Sequence, residues 1–173
     1  MNFYLQRALD TLESTTRGLS REQLLAHQAG KWSAAEIVEH LRLAFSSTAR
    51  LLSKHLKAGA ATAERPRLRH TLLRTLVISW GYFPTGGSAP EFTRPRGEVD
   101  PEAVLRAFRD ALATMDEVLV RCEQRFGRSV PIAAHFLFGP LTVDQWRKFH
   151  WVHTRHHVKQ IRRLAGGRQI VSR

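Results

Sequence analysis

Histidine is the residue type in this chain whose number and spacing could do chemistry, because nine histidines occur in 173 residues. Four of them fall within a single stretch, Phe149-His150-Trp151-Val152-His153-Thr154-Arg155-His156-His157. In a helix, His153 and His157 lie one turn apart on the apolar face, where two imidazoles can offer nitrogens to one metal ion. A buried pair needs partners for four ring nitrogens. The spacing therefore indicates a metal site as an alternative to hydrogen-bonded core histidines.

His40 is the third candidate ligand. It lies one turn after Ile37 on the apolar stripe of an earlier predicted helix, where an unpaired polar group would be costly. A neighbouring helix could bring it to the pair formed by His153 and His157. Three neutral imidazoles leave at least one coordination position open, and such a set suits Zn²⁺ or Ni²⁺. We expect these three residues to bind a divalent metal in an open site.

The remaining histidines are assigned by position. His135, in the segment before the last helix, and His150, at the edge of the apolar arc, are expected beside the metal ligands or facing a substrate. His156 projects away from that arc and is expected at its rim. We expect surface positions for the other three, which are His27, His55 and His70.

Capping patterns mark the helices that must position these histidines. Ser33 and Glu36 form a predicted capping box for a helix that runs to about Leu56, and Thr142 and Gln145 form one for the last helix. Asp100 is the predicted N-cap of another long helix. The hydrophobic periodicity predicts helices over residues 3–16, 33–56, 68–80, 101–126 and 142–164.

Long irregular connections separate the predicted helices. The stretch from Gly81 to Val99 is rich in proline and is expected to cover the mouth of a site. Residues 127–141 form a second irregular segment, and no convincing strand pattern is evident along the chain. The sequence predicts an all-α four-helix bundle with a short extra helix, formed by one domain over residues 1–173 with a basic tail at about 165–173.

Composition limits the cellular context and the partners. Lys and Arg (27) exceed Asp and Glu (15) by 12, which makes an anionic partner worth testing. The single cysteine, Cys122, lies on an apolar stripe and is expected to be buried and inert. No secretory signal or membrane-spanning stretch is evident, so we expect a cytoplasmic protein without a membrane partner.

Two stretches resemble signatures of the DinB-like (YfiT-like) superfamily of metal-binding four-helix bundles. They are Lys31-Trp32-Ser33-Ala34-Ala35-Glu36-Ile37-Val38-Glu39-His40-Leu41 and His153-Thr154-Arg155-His156-His157-Val158-Lys159-Gln160. Between them, His135-Phe136-Leu137-Phe138-Gly139-Pro140-Leu141-Thr142 is similar to the lead-in of one uncharacterised branch, in which proline commonly follows the histidine. Phe136 stands there instead, which affects the local backbone.

The resemblance implies a DinB-like fold with His40, His153 and His157 as ligands to Zn²⁺ or Ni²⁺, and with Gln160 beside them. It also implies kinship with thiol-dependent transferases and isomerases. Those relatives use the metal to bind and deprotonate a low-molecular-weight thiol such as bacillithiol, mycothiol or glutathione. Because many members have no assigned activity, the resemblance transfers the fold better than the reaction.

Two classes of function follow. The first is a metal-dependent enzyme, a thiol S-transferase or a hydrolase, that activates a small thiol or water toward an electrophile, with nearby Arg or Lys holding carboxylates of the thiol. No residue is assigned as general acid or base. The alternative is a non-catalytic basic protein that binds nucleic acid or another anionic partner, although no recognised nucleic-acid-binding motif is present. A homodimer formed through an exposed helix face is compatible with both.

Overall fold

Four long helices carry most of the chain in the computed structural model, which describes residues 1–83 and 88–166. They are α1 (Phe3–Thr16), α3 (Ala34–Ala58), α5 (Pro101–Phe126) and α6 (Val143–Gly166). Two short helices, α2 (Arg21–Leu25) and α4 (Leu68–Arg74), lie in the connections. The predicted basic tail, from residue 167 onward, lies outside the described residues, as do residues 84–87 of the predicted loop.

The predicted helix caps are confirmed. The Ser33 amide donates to Glu36 Oε2 (2.7 Å) and the Glu36 amide donates to Ser33 Oγ (3.2 Å). Thr142 and Gln145 make the same reciprocal pair at the start of α6. Asp100 accepts a hydrogen bond from the Ala103 amide at the start of α5. These caps fix where each helix begins and therefore which face each histidine occupies.

Two elements differ from the sequence-based expectation. Ser20 opens the short helix α2 with a capping box of its own. Residues 127–141 are not wholly irregular, because β1 (Ala133–His135) pairs antiparallel with β2 (Gly139–Leu141) in a small hairpin. The expectation of no strand was wrong because strands of three residues are too short to show an alternating pattern.

The core is built by pairwise packing of the long helices. The most extensive contacts join α3 to α5 and α1 to α6, and further contacts join α3 to α6. Leu41, Phe45 and Phe108 are among the fully buried side chains, each of which contributes roughly 1.5–3 kcal/mol by leaving water. Cys122 is buried there as predicted, and burial raises the pKa of its thiol to about 11. The all-α fold with extra short helices is confirmed, and the bundle arrangement stays a prediction.

Two connecting turns reach the helices that carry the candidate ligands. A π-helical turn, Thr75–Ser79, continues α4 and packs against α6. A 3-10 turn, Glu91–Thr93, packs against α3. Within residues 1–83 and 88–166, every helix is too short or too polar to cross a lipid bilayer.

Candidate metal centre

Three histidine side chains converge between α3 and α6. The Nε2 atom of His153 lies 3.2 Å from Nε2 of His40 and 3.0 Å from Nε2 of His157. One nitrogen from each ring lies within 4.8 Å of the other two. All three rings are buried, with exposed fractions of 4%, 7% and 8% for His40, His153 and His157. The structure thus brings together the three residues that the sequence pattern selected.

The outer nitrogens of two rings are held by oxygen acceptors. His40 Nδ1 lies 2.8 Å from the carbonyl oxygen of Thr93, which can only accept, so Nδ1 carries the proton of the neutral ring. His157 Nδ1 lies 2.8 Å from Oε1 of Gln160 in the same relation. The Nε2 lone pairs of both rings are therefore free to face the centre of the cluster. Backbone or amide oxygens in this position are typical of metal-bound histidines.

His153 lies between the other two rings. Its Nδ1 has no hydrogen-bond partner among the described residues, and its Nε2 has only the two neighbouring imidazoles. A single proton on this Nε2 could satisfy one neighbouring lone pair, and the other would remain unpaired in a buried site. A cation at the centre would satisfy the Nε2 lone pairs of all three rings.

The spacing of the donor atoms also suits a metal. Metal–nitrogen bonds of roughly 2.0–2.1 Å in a tetrahedral site place ligand nitrogens about 3.4 Å apart. The two Nε2 separations that involve His153, 3.2 and 3.0 Å, are close to this value. The donor set fits a divalent transition metal with at least one coordination position open.

Burial keeps these imidazoles neutral. The pKa of His157 falls to about 3 and the pKa of His153 falls well below its usual range, chiefly because of burial and also because of the neighbouring histidines. The pKa of His40 is also lowered by burial, with partial compensation from its hydrogen bond to Thr93. Neutral imidazole is the form that binds metal, so the cluster is ready to act as a ligand set at pH 7 without losing protons.

Aromatic rings surround the cluster. Phe149 stacks on His153 with ring centroids 5.6 Å apart and an interplanar angle of 8°. Phe83 stacks on His153 from another side, at 5.4 Å and 23°, and Trp32 packs against His40 at 5.1 Å. Phe83 belongs, together with Thr93, to the stretch that was expected to cover the site. Two residues of that stretch thus contact the cluster, Phe83 at His153 and Thr93 at His40.

Of the three additional candidates, only Gln160 has a hydrogen bond to a predicted ligand. His150 is buried one turn away, where its Nε2 bonds Thr48 Oγ1 at 3.0 Å and its ring packs on Phe45. His135 is in β1, where its Nδ1 accepts from the Leu137 amide and its ring stacks on aromatic neighbours. Among the described residues, neither His135 nor His150 has a hydrogen bond to the three converging rings. No contact supports their expected position beside a metal.

The other histidines follow the expectation with one exception. His27 is exposed, His55 is partly exposed, and His156 is half-buried with Nε2 3.2 Å from Gln160 Nε2. His70 is buried instead of lying at the surface, because it packs on Gly139 of the hairpin. A Cβ at Gly139 would lie 2.4 Å from His70 Nδ1, and only glycine readily adopts its φ of +64°.

Three residues of the site region were not selected from the sequence. Thr93 holds His40 from a position 53 residues along the chain. Phe83 and Thr48 likewise reach their histidines from distant segments. A carbonyl or a ring that approaches only in the folded state leaves no local periodicity or spacing, so no signal in the sequence could have identified these three.

A comparison with protein-family models shows to which family the chain belongs. The model of a family described as "Protein of unknown function (DUF1569)" matches residues 5–164. The chain belongs to the DUF1569 family. The matched region includes all three converging histidines, and the family description assigns no reaction to DUF1569 proteins. No curated protein and no solved structure matches the chain.

Proposed function

We propose that His40, His153 and His157 hold one Zn²⁺ or Ni²⁺ ion and that this DUF1569 protein is a metal-dependent enzyme of the DinB-like type. Its task is to activate a low-molecular-weight thiol, or water, toward an electrophile, with transfer of the thiol as the leading reaction. The observation that carries the proposal is the convergence of three buried Nε2 atoms, of which the central one has no other polar partner in the part of the chain that the structure describes.

The protein groups around the site have separable roles. The Thr93 carbonyl and Gln160 Oε1 hold the outer nitrogens of His40 and His157, which fixes the ring orientations. Phe83 and the other aromatic rings shield the flanks of the cluster from water. When bound, a divalent cation lowers the pKa of a thiol or water at its open position, so that the nucleophile forms at neutral pH.

The kinship to DinB-like proteins rests on two supports. The first is the pair of motifs around His40 and around His153 and His157. The second is that these motifs lie on two helices, α3 and α6, that contact each other and bring the three rings together. Three imidazoles leave a coordination position for a substrate, as a catalytic site requires, whereas structural zinc sites are closed by four protein ligands.

Cobalt substitution tests the thiol part of the proposal. Protein loaded with Co²⁺ is titrated with glutathione, then with bacillithiol and mycothiol, and the visible absorption of the metal is followed. We expect a saturable spectral change with one thiol per chain, and its loss in His153→Ala. His150→Phe is the matched control, because among the described residues this buried histidine of α6 has no hydrogen bond to the cluster, and it should behave as wild type.

Two outcomes would contradict the proposal at different levels. A cobalt-loaded protein whose spectrum no thiol changes would leave water as the activated group and remove the thiol assignment. A protein that is purified without metal and cannot be loaded would favour the alternative of a basic binding protein. In that case, binding to DNA should weaken steeply with added salt, because counterions are released from the phosphates.

A further inference from the structure

A small cavity of about 220 Å³ adjoins the three-histidine cluster on the side of α6. Its lining includes Phe83, Arg155, His156, Lys159, Gln160 and Arg163. Two of these residues also belong to the surroundings of the cluster, since Phe83 stacks on His153 and Gln160 accepts a hydrogen bond from His157. A molecule in this cavity would therefore be separated from the predicted ligands by no more than one side chain.

The charge of the lining is entirely of one sign. Arg155, Lys159 and Arg163 recur at four-residue intervals and so form a stripe along one side of α6. Among the described residues, no carboxylate lines the cavity. Every Asp and Glu of the chain lies within the described residues, and none of their ion pairs includes any of these three cations. No Asp or Glu side chain therefore neutralises these positive charges.

Hydrogen bonding and burial hold part of the cavity lining in place. Arg155 donates through Nη2 to the carbonyl oxygen of Gly81 at 2.6 Å, which orients its guanidinium and leaves its other N–H groups for an anion. Val152 and Phe83 supply apolar wall, and Val152 is buried. Lys159 and Arg163 are exposed, so the held guanidinium of Arg155 and the apolar wall are what distinguish the cavity from a solvated basic surface.

We propose that this cavity binds the anionic group, a carboxylate or a phosphate, of a small molecule whose reacting atom meets the three-histidine centre. The second half of this statement rests on the proposed function, whereas anion binding by the cavity does not. The volume is small beside the roughly 300–1,000 Å³ typical of pockets for whole drug-sized ligands. It accommodates one anionic end of a ligand, and the remainder extends toward His153 and His157.

Binding of two probe anions to the full-length, metal-loaded protein tests the proposal. Succinate and inorganic phosphate are titrated separately by calorimetry at low ionic strength, and the tighter probe identifies the group that the cavity prefers. The test variant is Lys159→Gln with Arg163→Gln. Its matched control is Arg121→Gln with Arg162→Gln, which removes the same charge from exposed positions outside the cavity.

The preferred probe should bind about tenfold or more weakly to the test variant, since two charge-assisted hydrogen bonds are lost, and within about twofold of wild type to the control. Equal weakening in both variants would show general attraction by net charge and would overturn the proposal. Failure of both probes to bind the wild type would overturn it as well.

A third variant separates this proposal from the proposed function. His153→Ala should lose the metal and still bind the preferred anion, because His153 is not part of the cavity lining. The Lys159 and Arg163 variant should keep a full complement of metal. A wild-type protein that holds its metal and binds neither anion would therefore contradict only the anion site. A wild-type protein that binds an anion and holds no metal would contradict only the proposed function.

Discussion

Two groups of buried histidines meet one turn apart on α6. The first is His150 alone, and the second is the three-histidine cluster. They differ in what their nitrogens face. His150 is enclosed by aromatic rings and bonds a single hydroxyl, that of Thr48. His153 and His157, with His40 of α3, face one another. Burial lowers the pKa of His150 and of His157 to about 3 in both cases.

The comparison shows that burial and a lowered pKa do not by themselves identify a metal ligand. His150 has both properties, yet its Nε2 bonds one hydroxyl, its Nδ1 has no hydrogen-bond partner among the described residues, and aromatic rings pack on it. Two of the three converging rings have outer nitrogens held by Thr93 and Gln160, and the inner nitrogens of the cluster have too few protons to share. The arrangement of nitrogens, rather than their burial, distinguishes a ligand set from core packing.

The largest expected difference between the two groups is in metal affinity. Zinc sites contribute roughly 10 kcal/mol or more of binding free energy, so loss of one ligand of three should cost about 3–4 kcal/mol, which is roughly 150–900-fold in affinity. His153→Ala should show this loss in competition with a zinc chelator, whereas His150→Phe should bind Zn²⁺ within about threefold of wild type. Equal losses in the two variants would show that the three-histidine cluster and His150 do not differ in metal binding.

Gln160→Ala should have a smaller effect on the same measurement. Because Oε1 of Gln160 holds Nδ1 of His157, its loss should weaken Zn²⁺ binding by about 10–100-fold. Gln160→Glu keeps an acceptor at this place and should restore the affinity. Arg162→Ala, at an exposed position of the same helix, is the control. An unchanged affinity in Gln160→Ala would show that the ring of His157 is held by packing alone.

Acid should also destabilise the metal-free protein through His150, which lies outside the proposed ligand set. The pKa of His150 is about 3 in the folded state because of burial, whereas an imidazole in the unfolded chain has a pKa of about 6.5. Its contribution to stability is therefore complete above pH 6.5 and is lost as the pH falls from 6.5 towards 3.

The variant His150→Phe should accordingly lose stability less steeply over that pH range, by up to about 1.4 kcal/mol per pH unit relative to wild type. Urea unfolding in the presence of a chelator, repeated from pH 7.5 to 4.5, measures the slope. Identical slopes in wild type and variant would show that His150 is not kept neutral by the fold.

The smallest expected effect is that of removing the hydrogen bond between His150 and Thr48. Thr48→Val removes the hydroxyl that bonds His150 and should lower the free energy of unfolding by about 1 kcal/mol. Zn²⁺ affinity should stay the same, because Thr48 has no hydrogen bond to the three converging histidines among the described residues. A variant with weaker metal binding would indicate that the two histidine groups are coupled through α6.

The parts of this molecule that could be predicted from the sequence are those with local chemical signatures. The capping boxes at Ser33 and Thr142 fixed the helix starts, and the four-residue spacing of His153 and His157 placed them on one face. His40 could be added because its helix carries a continuous apolar stripe. The long helices and the candidate ligands follow from these local rules.

Features made by long-range contact could not be predicted in the same way. The carbonyl of Thr93 reaches His40 only through the folded course of the intervening chain. His70 appears polar and exposed in the sequence, and it is buried because Gly139 lacks a side chain at the point of contact. The hairpin of β1 and β2 is likewise held by pairing across a turn, with Pro140 opposite Ala134.

The central claim is that three imidazoles of this chain bind one metal ion, and X-ray absorption spectroscopy of tag-free protein tests it most directly. The account predicts about one Zn²⁺ or Ni²⁺ ion per chain, with three imidazole nitrogens at roughly 2.0–2.1 Å for zinc, and one fewer imidazole or no metal in His153→Ala. A protein that contains no metal and acquires none on incubation with either ion, or a metal bound without histidine, would contradict it.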